Sequence, residues 1–291
     1  MQVVLKNTVS PFMEMVAYEA LWALPNESLK SIAEIFKKRK LLPSEILTYK
    51  KDLFAIPDLL EEISSYLSHK SGFSVSICGD FQYPKKLQDA KYPIELFYYK
   101  GDIGLLESRC ISVVGARECT EDGKRRAQKL VKGLVGHGFT IVSGLATGID
   151  TAAMTTAIEN GGKTIGVIGT PIDQYYPKEN RKLQDRVAKD YLLISQVPFY
   201  RYEKEPFKSK RNYFPQRNET MAALSEATVI VEASDTSGTL TQARAALAQK
   251  RKLFILNSCF ENRAITWPKK YEEKGAIRVN TLDDILKEMS K

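Results

Sequence analysis

The stretch 141-IVSGLATGID-150 decides how the chain is read. An apolar run stops at two glycines and an aspartate, G-x-x-x-G-x-D, and a helical pattern follows. That order marks a buried strand, a tight loop and a helix. The glycines either make the turn or let amides at a helix start come close to an anion.

The same unit recurs on both sides. Apolar runs CISVVG (110–115), FTIVSG (139–144), KTIGVIG (163–169), YLLISQV (191–197), ATVIVEA (227–233) and KLFILN (252–257) alternate with helical stretches. The helices fall at about 123–136, 150–160, 178–190, 217–226 and 239–250. Runs that are apolar on both faces predict a parallel sheet covered by helices on each side, an α/β fold. Two further strand patterns, FSVSIC (73–78) and IELFYYKGD (94–102), precede the series, and GAIRVNTLDDILKEM (275–289) closes it with strand, cap and helix. Before Gly72 the texture is different. PFMEMVAYEALWAL (11–24), NESLKSIAEIFKKRK (26–40), PSEILTYKKDLF (43–54) and IPDLLEEISSYLSHK (56–70) carry helical spacing, with Asn26 read as a cap. The expected division is a small helical domain at 1–72 and the sheet domain at 73–291.

Composition narrows the function classes. Lys and Arg number 43 against 35 Asp and Glu, so the formal charge is +8, which suits a polyanionic partner. Four scattered cysteines without a C-x-x-C pair and only two histidines give little material for a disulfide framework, a metal site or a Ser-His-Asp triad. His137 reads as a helix-end residue. No apolar run is long enough to span a bilayer, and the first residues lack the form of a signal peptide, so a cytoplasmic protein is expected.

In an open parallel sheet, ligands bind beyond the carboxyl ends of the strands. Gly115 and Arg117 follow the first strand of the series; Ser143, Gly144 and Gly148 follow the second. Tyr175, Tyr176 and Pro177 are placed to wall a pocket, and Ser237, Gly238 and Thr239 open a late helix. Glycine- or hydroxyl-rich helix starts at equivalent positions predict a phosphate-binding edge. Neither G-x-G-x-x-G after the first strand nor G-x-x-x-x-G-K-[ST] occurs, and GGKTIG (161–166) enters a strand, so Lys163 is not a P-loop lysine. The segment 198–216 reads as the least regular loop. From it to Arg217 run six bases, Arg211 and Arg217 among them, interleaved with Phe199, Tyr200, Tyr202, Phe207, Tyr213 and Phe214. Cations with interleaved rings suit single-stranded nucleic acid.

These residues, in this order, resemble the DNA-processing protein A (DprA/Smf) family. The likeness rests on QYPKKLQD, IELFYYKGD, VVGAR, IVSGLATGID, GGKTIGVIG, YYPKENRKL, FPQRN, ALSEATVIVEA and SGTLTQARAALAQ, and covers about residues 80–288. It implies an extended Rossmann-like domain that binds single-stranded DNA, forms a homodimer and hands the strand to RecA in recombination of incoming DNA. It also implies no catalytic reaction and no cofactor. By the same resemblance Arg117, Lys163, Phe214, Arg217 and Asn218 are expected at the DNA. Met154, Gln196 and Glu219 depart from the family's usual histidine, glutamate and basic residue. Two readings stand beside it. A phosphoribohydrolase-like enzyme would need a carboxylate where Thr241 and Gln242 stand. A nucleotide sensor, phage-borne or defence-linked, would use the same phosphate-binding edge.

Overall fold

The computed structural model describes residues 9–49, 56–88 and 90–290; residues 50–54 of the expected third helix lie outside them. Four helices open the chain: α1 (Pro11–Ala23), α2 (Leu29–Arg39), α3 (Pro43–Tyr49) and α4 (Ile56–Ser68). The cap of α2 is Ser28, paired with Ser31 in a capping box; Asn26 sits two residues earlier in left-handed backbone. The basic residues 37–39 fall in the last turn of α2, where the helix dipole favours them.

All nine expected strands form. They are β1 (Ser74–Ile77), β2 (Leu96–Gly101), β3 (Cys110–Val114), β4 (Thr140–Ser143), β5 (Thr164–Ile168), β6 (Leu192–Ser195), β7 (Ala227–Ile230), β8 (Lys252–Leu256) and β9 (Ile277–Val279). They build one sheet in the order β1-β2-β6-β5-β4-β3-β7-β8-β9. From β6 to β9 every pair is parallel, while β2 runs antiparallel to β6 and β1 antiparallel to β2. Every residue of β3 through β7 is buried, as strands covered on both faces must be. The covering helices are α5 (Lys85–Gln88), α6 (Glu121–Gly136), α7 (Ile149–Glu159), α8 (Arg181–Asp190), α9 (Phe199–Lys204), α10 (Phe207–Lys210), α11 (Tyr213–Leu224), α12 (Thr239–Ala248), α13 (Asn257–Glu261), α14 (Trp267–Glu272) and α15 (Leu282–Met289). His137 ends α6, its Nδ1 2.9 Å from the Gly133 carbonyl.

The segment 198–216 is not a loop. Pro198 and Pro206 each precede a helix, α9 and α10, and α11 begins at Tyr213. Proline's fixed φ suits a helix start as well as a loop. The rings of Phe199, Tyr200 and Tyr213 are buried. Burying such a side chain contributes roughly 1.5–3 kcal/mol in every folded molecule, so these aromatics serve the core. Phe199 packs on Tyr98 and Phe73, in the same apolar cluster as α1, α2 and α4.

One buried carboxylate ties the N-terminal helices to this segment. Glu19 of α1 accepts hydrogen bonds from the amides of Phe199 (2.7 Å) and Tyr200 (3.0 Å) and from the Tyr98 hydroxyl. Two of the free amides at the start of α9 are thereby satisfied. Burial pushes the Glu19 carboxyl up to about 7, against the opposing pull of those donors and of Lys70. Around it, Arg201 donates to the carbonyls of Trp22 (3.0 Å) and Glu27 (2.7 Å), Tyr66 to Glu203, and Lys70 to Asp173 (2.7 Å).

Candidate functional site

The order of strands reverses at β3. From it the chain moves through β4, β5 and β6 on one side, then returns to β7, β8 and β9 on the other. Loops that leave the carboxyl ends on either side part there and open a crevice. Two clefts occupy that rim. One, of about 450 Å³, lies by the loops after β4 and β5; the other, of about 950 Å³, lies by the loops after β3, β7 and β8. Arg117, Phe214 and Arg217 line both and form the wall between them.

The smaller cleft is aromatic and basic. Phe214 lies on the backbone of Gly169, where a Cβ would stand 2.7 Å from its ring. The ring of Tyr176 meets Phe214 at 5.1 Å between centroids, and the Arg117 guanidinium lies 5.8 Å from the Phe214 centroid. Three cations, Arg117, Lys178 and Arg217, face one carboxylate, Glu179, around this cleft. Lys178, in the first turn after Pro177, is a residue that the sequence reading misses. Its signal lies in YYPKENRKL, as a base in the loop after β5 beside the tyrosines read as a pocket wall.

The sequence reading puts Arg217 on phosphate; the structure places it beneath the loop. It is 5% exposed, and its Nη1 donates to the carbonyls of Gly144 and of Val167 (2.8 Å). Nε donates to Asn218 Oδ1 at 2.9 Å, and Asn218 Nδ2 donates to the Gly238 carbonyl at 3.1 Å. Burial lowers the Arg217 pKa to about 10, with Asp150 opposing and Arg117 adding to the fall. The group stays charged at neutral pH and adds a fixed positive field below the cleft.

The glycines answer the question posed by residues 141–150. A Cβ at Gly144 would stand 2.0 Å from Arg217 Nη1, and one at Gly148 (φ 75°) would stand 2.3 Å from the carbonyls of Ala116 and Arg117. At Gly115 it would meet Ile149 at 2.7 Å and the Glu232 carbonyl at 2.8 Å. These glycines admit the protein's own groups, not a ligand. Nor are the loop amides free. The Gly144 amide donates to Asp150 Oδ2 at 3.0 Å, and the amides of Ala146 and Gly115 face the same carboxylate. Burial raises the Asp150 pKa, which Arg217 and these amides offset. Ser143 is buried with its hydroxyl on the Val113 carbonyl at 2.9 Å. Thr239 Oγ1 donates to the Gly115 carbonyl at 3.1 Å. Ser237 and Gly238 line the larger cleft.

Two expected contacts line neither cleft. Lys163 stands immediately before β5, at the amino end of the parallel strands, opposite the carboxyl ends. Arg211 follows α10, exposed, 5.4 Å from the centroid of the Phe207 ring, and lines neither cleft. Among the described residues no cluster of His, Cys, Asp and Glu suits a metal ion, and no helix is long and apolar enough to cross a membrane.

Residues 74–290 match the family model described as DNA recombination-mediator protein A. The chain is 37% identical over 215 residues to the DNA processing protein DprA of Streptococcus pneumoniae, covering 74% of this chain and 73% of that protein. It is 33% identical over 234 residues to the DprA of Bacillus subtilis, covering 80% and 76%. The X-ray structure of DNA processing protein A from S. pneumoniae superposes with a TM-score of 0.78 at 29% identity, over 97% of this chain and 98% of that one. A structure that addresses the single-stranded DNA binding mode of the Helicobacter pylori protein gives a TM-score of 0.63 at 26% identity, over 77% and 97%.

Proposed function

The chain belongs to the DNA recombination-mediator protein A family, and on that footing we propose that it binds single-stranded DNA in the smaller cleft and serves recombination of incoming DNA. One observation carries the reading. Arg117 and Lys178 share an aromatic-walled cleft, and neither has a carboxylate partner among the described residues. Unpaired cations keep their full attraction for phosphate, and the rings of Tyr176 and Phe214 offer faces on which a base stacks. The H. pylori relative's single-stranded DNA binding supports the choice of ligand. Arg117 and Lys178 contact phosphate, Phe214 contacts a base, and Arg217 with Gly144 and Asn218 holds the wall that presents them.

The reading includes no catalytic step. Gln242 stands where a hydrolase would need its acid, buried and donating to Thr228 Oγ1 at 3.4 Å. By family resemblance the protein acts as a homodimer and passes the strand to RecA, with the sheet domain carrying the DNA contact and the N-terminal helices packed against it. Light scattering on the free protein and strand-exchange assays with RecA test those two points.

Fluorescence polarisation with a labelled single strand tests the DNA site. The logarithm of affinity should fall linearly with the logarithm of salt concentration, and Arg117→Ala should weaken binding and flatten that slope. Binding indifferent to salt, or to the loss of Arg117, refutes the assignment.

A further inference from the structure

The chain that delivers Phe214 to the smaller cleft carries another ring and three more cations just before it. Phe207, the first residue of α10, is 72% exposed, although Phe199, Tyr200 and Tyr213 of the same segment are buried. A ring left in water contributes little to the core. Lys208, Lys210 and Arg211 follow it, and none has a carboxylate partner among the described residues. The acids of the segment are engaged elsewhere. Glu205 pairs with Arg201 at 2.6 Å, and Glu203 accepts from the Tyr66 hydroxyl. Arg211 lies 5.4 Å from the Phe207 centroid and Lys210 4.8 Å from that of Tyr202, so cation and ring stand side by side.

This group is tied to the cleft wall. From Pro206 to Phe214 the backbone stays wound by hydrogen bonds three residues apart. The Ser209 amide donates to the Pro206 carbonyl (3.0 Å), Asn212 to Ser209 (3.0 Å) and Phe214 to Arg211 (3.4 Å). At a rise of about 1.5–2.0 Å per residue, the backbones of Phe207 and Phe214 stand no more than roughly 14 Å apart. Tyr213, buried and 5.5 Å from Tyr202 between ring centroids, anchors the junction. We propose that α10 is a second landing for the strand held in the smaller cleft. The strand continues over α10, one base stacks on Phe207, and Lys208 and Arg211 take the adjoining phosphates. The inference rests on the assignment of single-stranded DNA to that cleft and extends it. A duplex keeps its base faces within its own stack, so the exposed ring selects single strands.

Phe207→Trp in the full chain places a reporter at this point. Trp22 and Trp267 are buried, so wild-type emission serves as the blank. Saturation with single-stranded DNA should quench the added tryptophan by stacking, and duplex DNA should not. Arg117→Ala in this background should move the quenching to higher DNA concentration, because one strand serves both places. Phe207→Ala should weaken strand binding about fivefold or more. Lys208→Ala with Arg211→Ala should lower the salt slope by about 1–2. All three side chains are exposed, so urea midpoints should not move. A strand that saturates the protein by polarisation without quenching, or that binds Phe207→Ala as tightly as wild type, overturns the proposal. Quenching by duplex overturns it too, because charge alone would then account for the contact. Phe207→Ala that changes only light scattering assigns the ring to another copy of the chain and likewise overturns it. If Arg117→Ala leaves polarisation and quenching unchanged, the cleft assignment falls and the extension with it; the other outcomes overturn the extension alone.

Discussion

Replacing Glu19 by glutamine should change how stability depends on pH. The Glu19 carboxyl is fully buried in the fold and pushed up to about 7; in the unfolded chain it titrates near its ordinary value of 4.5. A group whose folded pKa is raised favours the native state below the unfolded value. That contribution is lost as pH rises through the folded value. The interval corresponds to roughly 3 kcal/mol, lost between about pH 4.5 and pH 7. The glutamine has no charge to bury, so the variant does not lose it. The variant does lose a hydrogen bond. Its carboxamide cannot accept from both the Phe199 and Tyr200 amides while also meeting Tyr98, which costs about 1–3 kcal/mol. Wild type should therefore be the more stable near pH 5, and the two should converge or cross by pH 8. Urea unfolding of both proteins at steps between those values gives the difference directly. Glu95, also pushed up to about 7 by burial, titrates in the same window in both proteins and cancels. Tyr18, Tyr66, Tyr98 and Tyr213, whose phenols feel the Glu19 charge, likewise stand in both. A stability difference that stays constant across the range would show that Glu19 keeps its charge throughout, and the account of this contact would be wrong.

Three further outcomes follow from the rim. Lys178→Ala should weaken single-stranded DNA binding at every sequence and lower the salt slope by about 1, while Lys163→Ala, at the opposite end of the sheet, should leave polarisation curves unchanged. Phe214→Ala should cost roughly 1–3 kcal/mol of DNA affinity, with the salt slope kept, because a stacking surface is lost and no charge is. Gly144→Ala forces a methyl to within 2.0 Å of the Arg217 guanidinium, so denaturant midpoints should drop by the equivalent of about 1–3 kcal/mol, and DNA affinity should fall with them as the wall shifts.

The fold is legible because its strands state their burial outright. ATVIV and CISVV admit no exposed face, and each is followed by its turn and helix, so the parallel series can be read with strand positions intact. The segment 198–216 misleads because composition does not say which way a ring points. Tyr213 and Phe199 look the same in sequence as Phe207, yet two are core and one is 72% exposed. The glycine loops stand out as special, but for a different partner. Nothing local to GLATG shows that an arginine 73 residues away fills the space beside Gly144. Lys163 stands out in the sequence where Lys178 does not, for a similar reason. A lysine beside two glycines draws attention, but only the strand direction tells which end of the sheet it occupies.

The sheet ends in two very short strands, β1 with four residues and β9 with three. Each margin offers few unpaired peptide groups to another chain. Self-association by extending the sheet from molecule to molecule therefore finds little foothold. Copies of this protein that meet would do so through side chains and helix surfaces, an encounter that can be reversed without breaking a ladder.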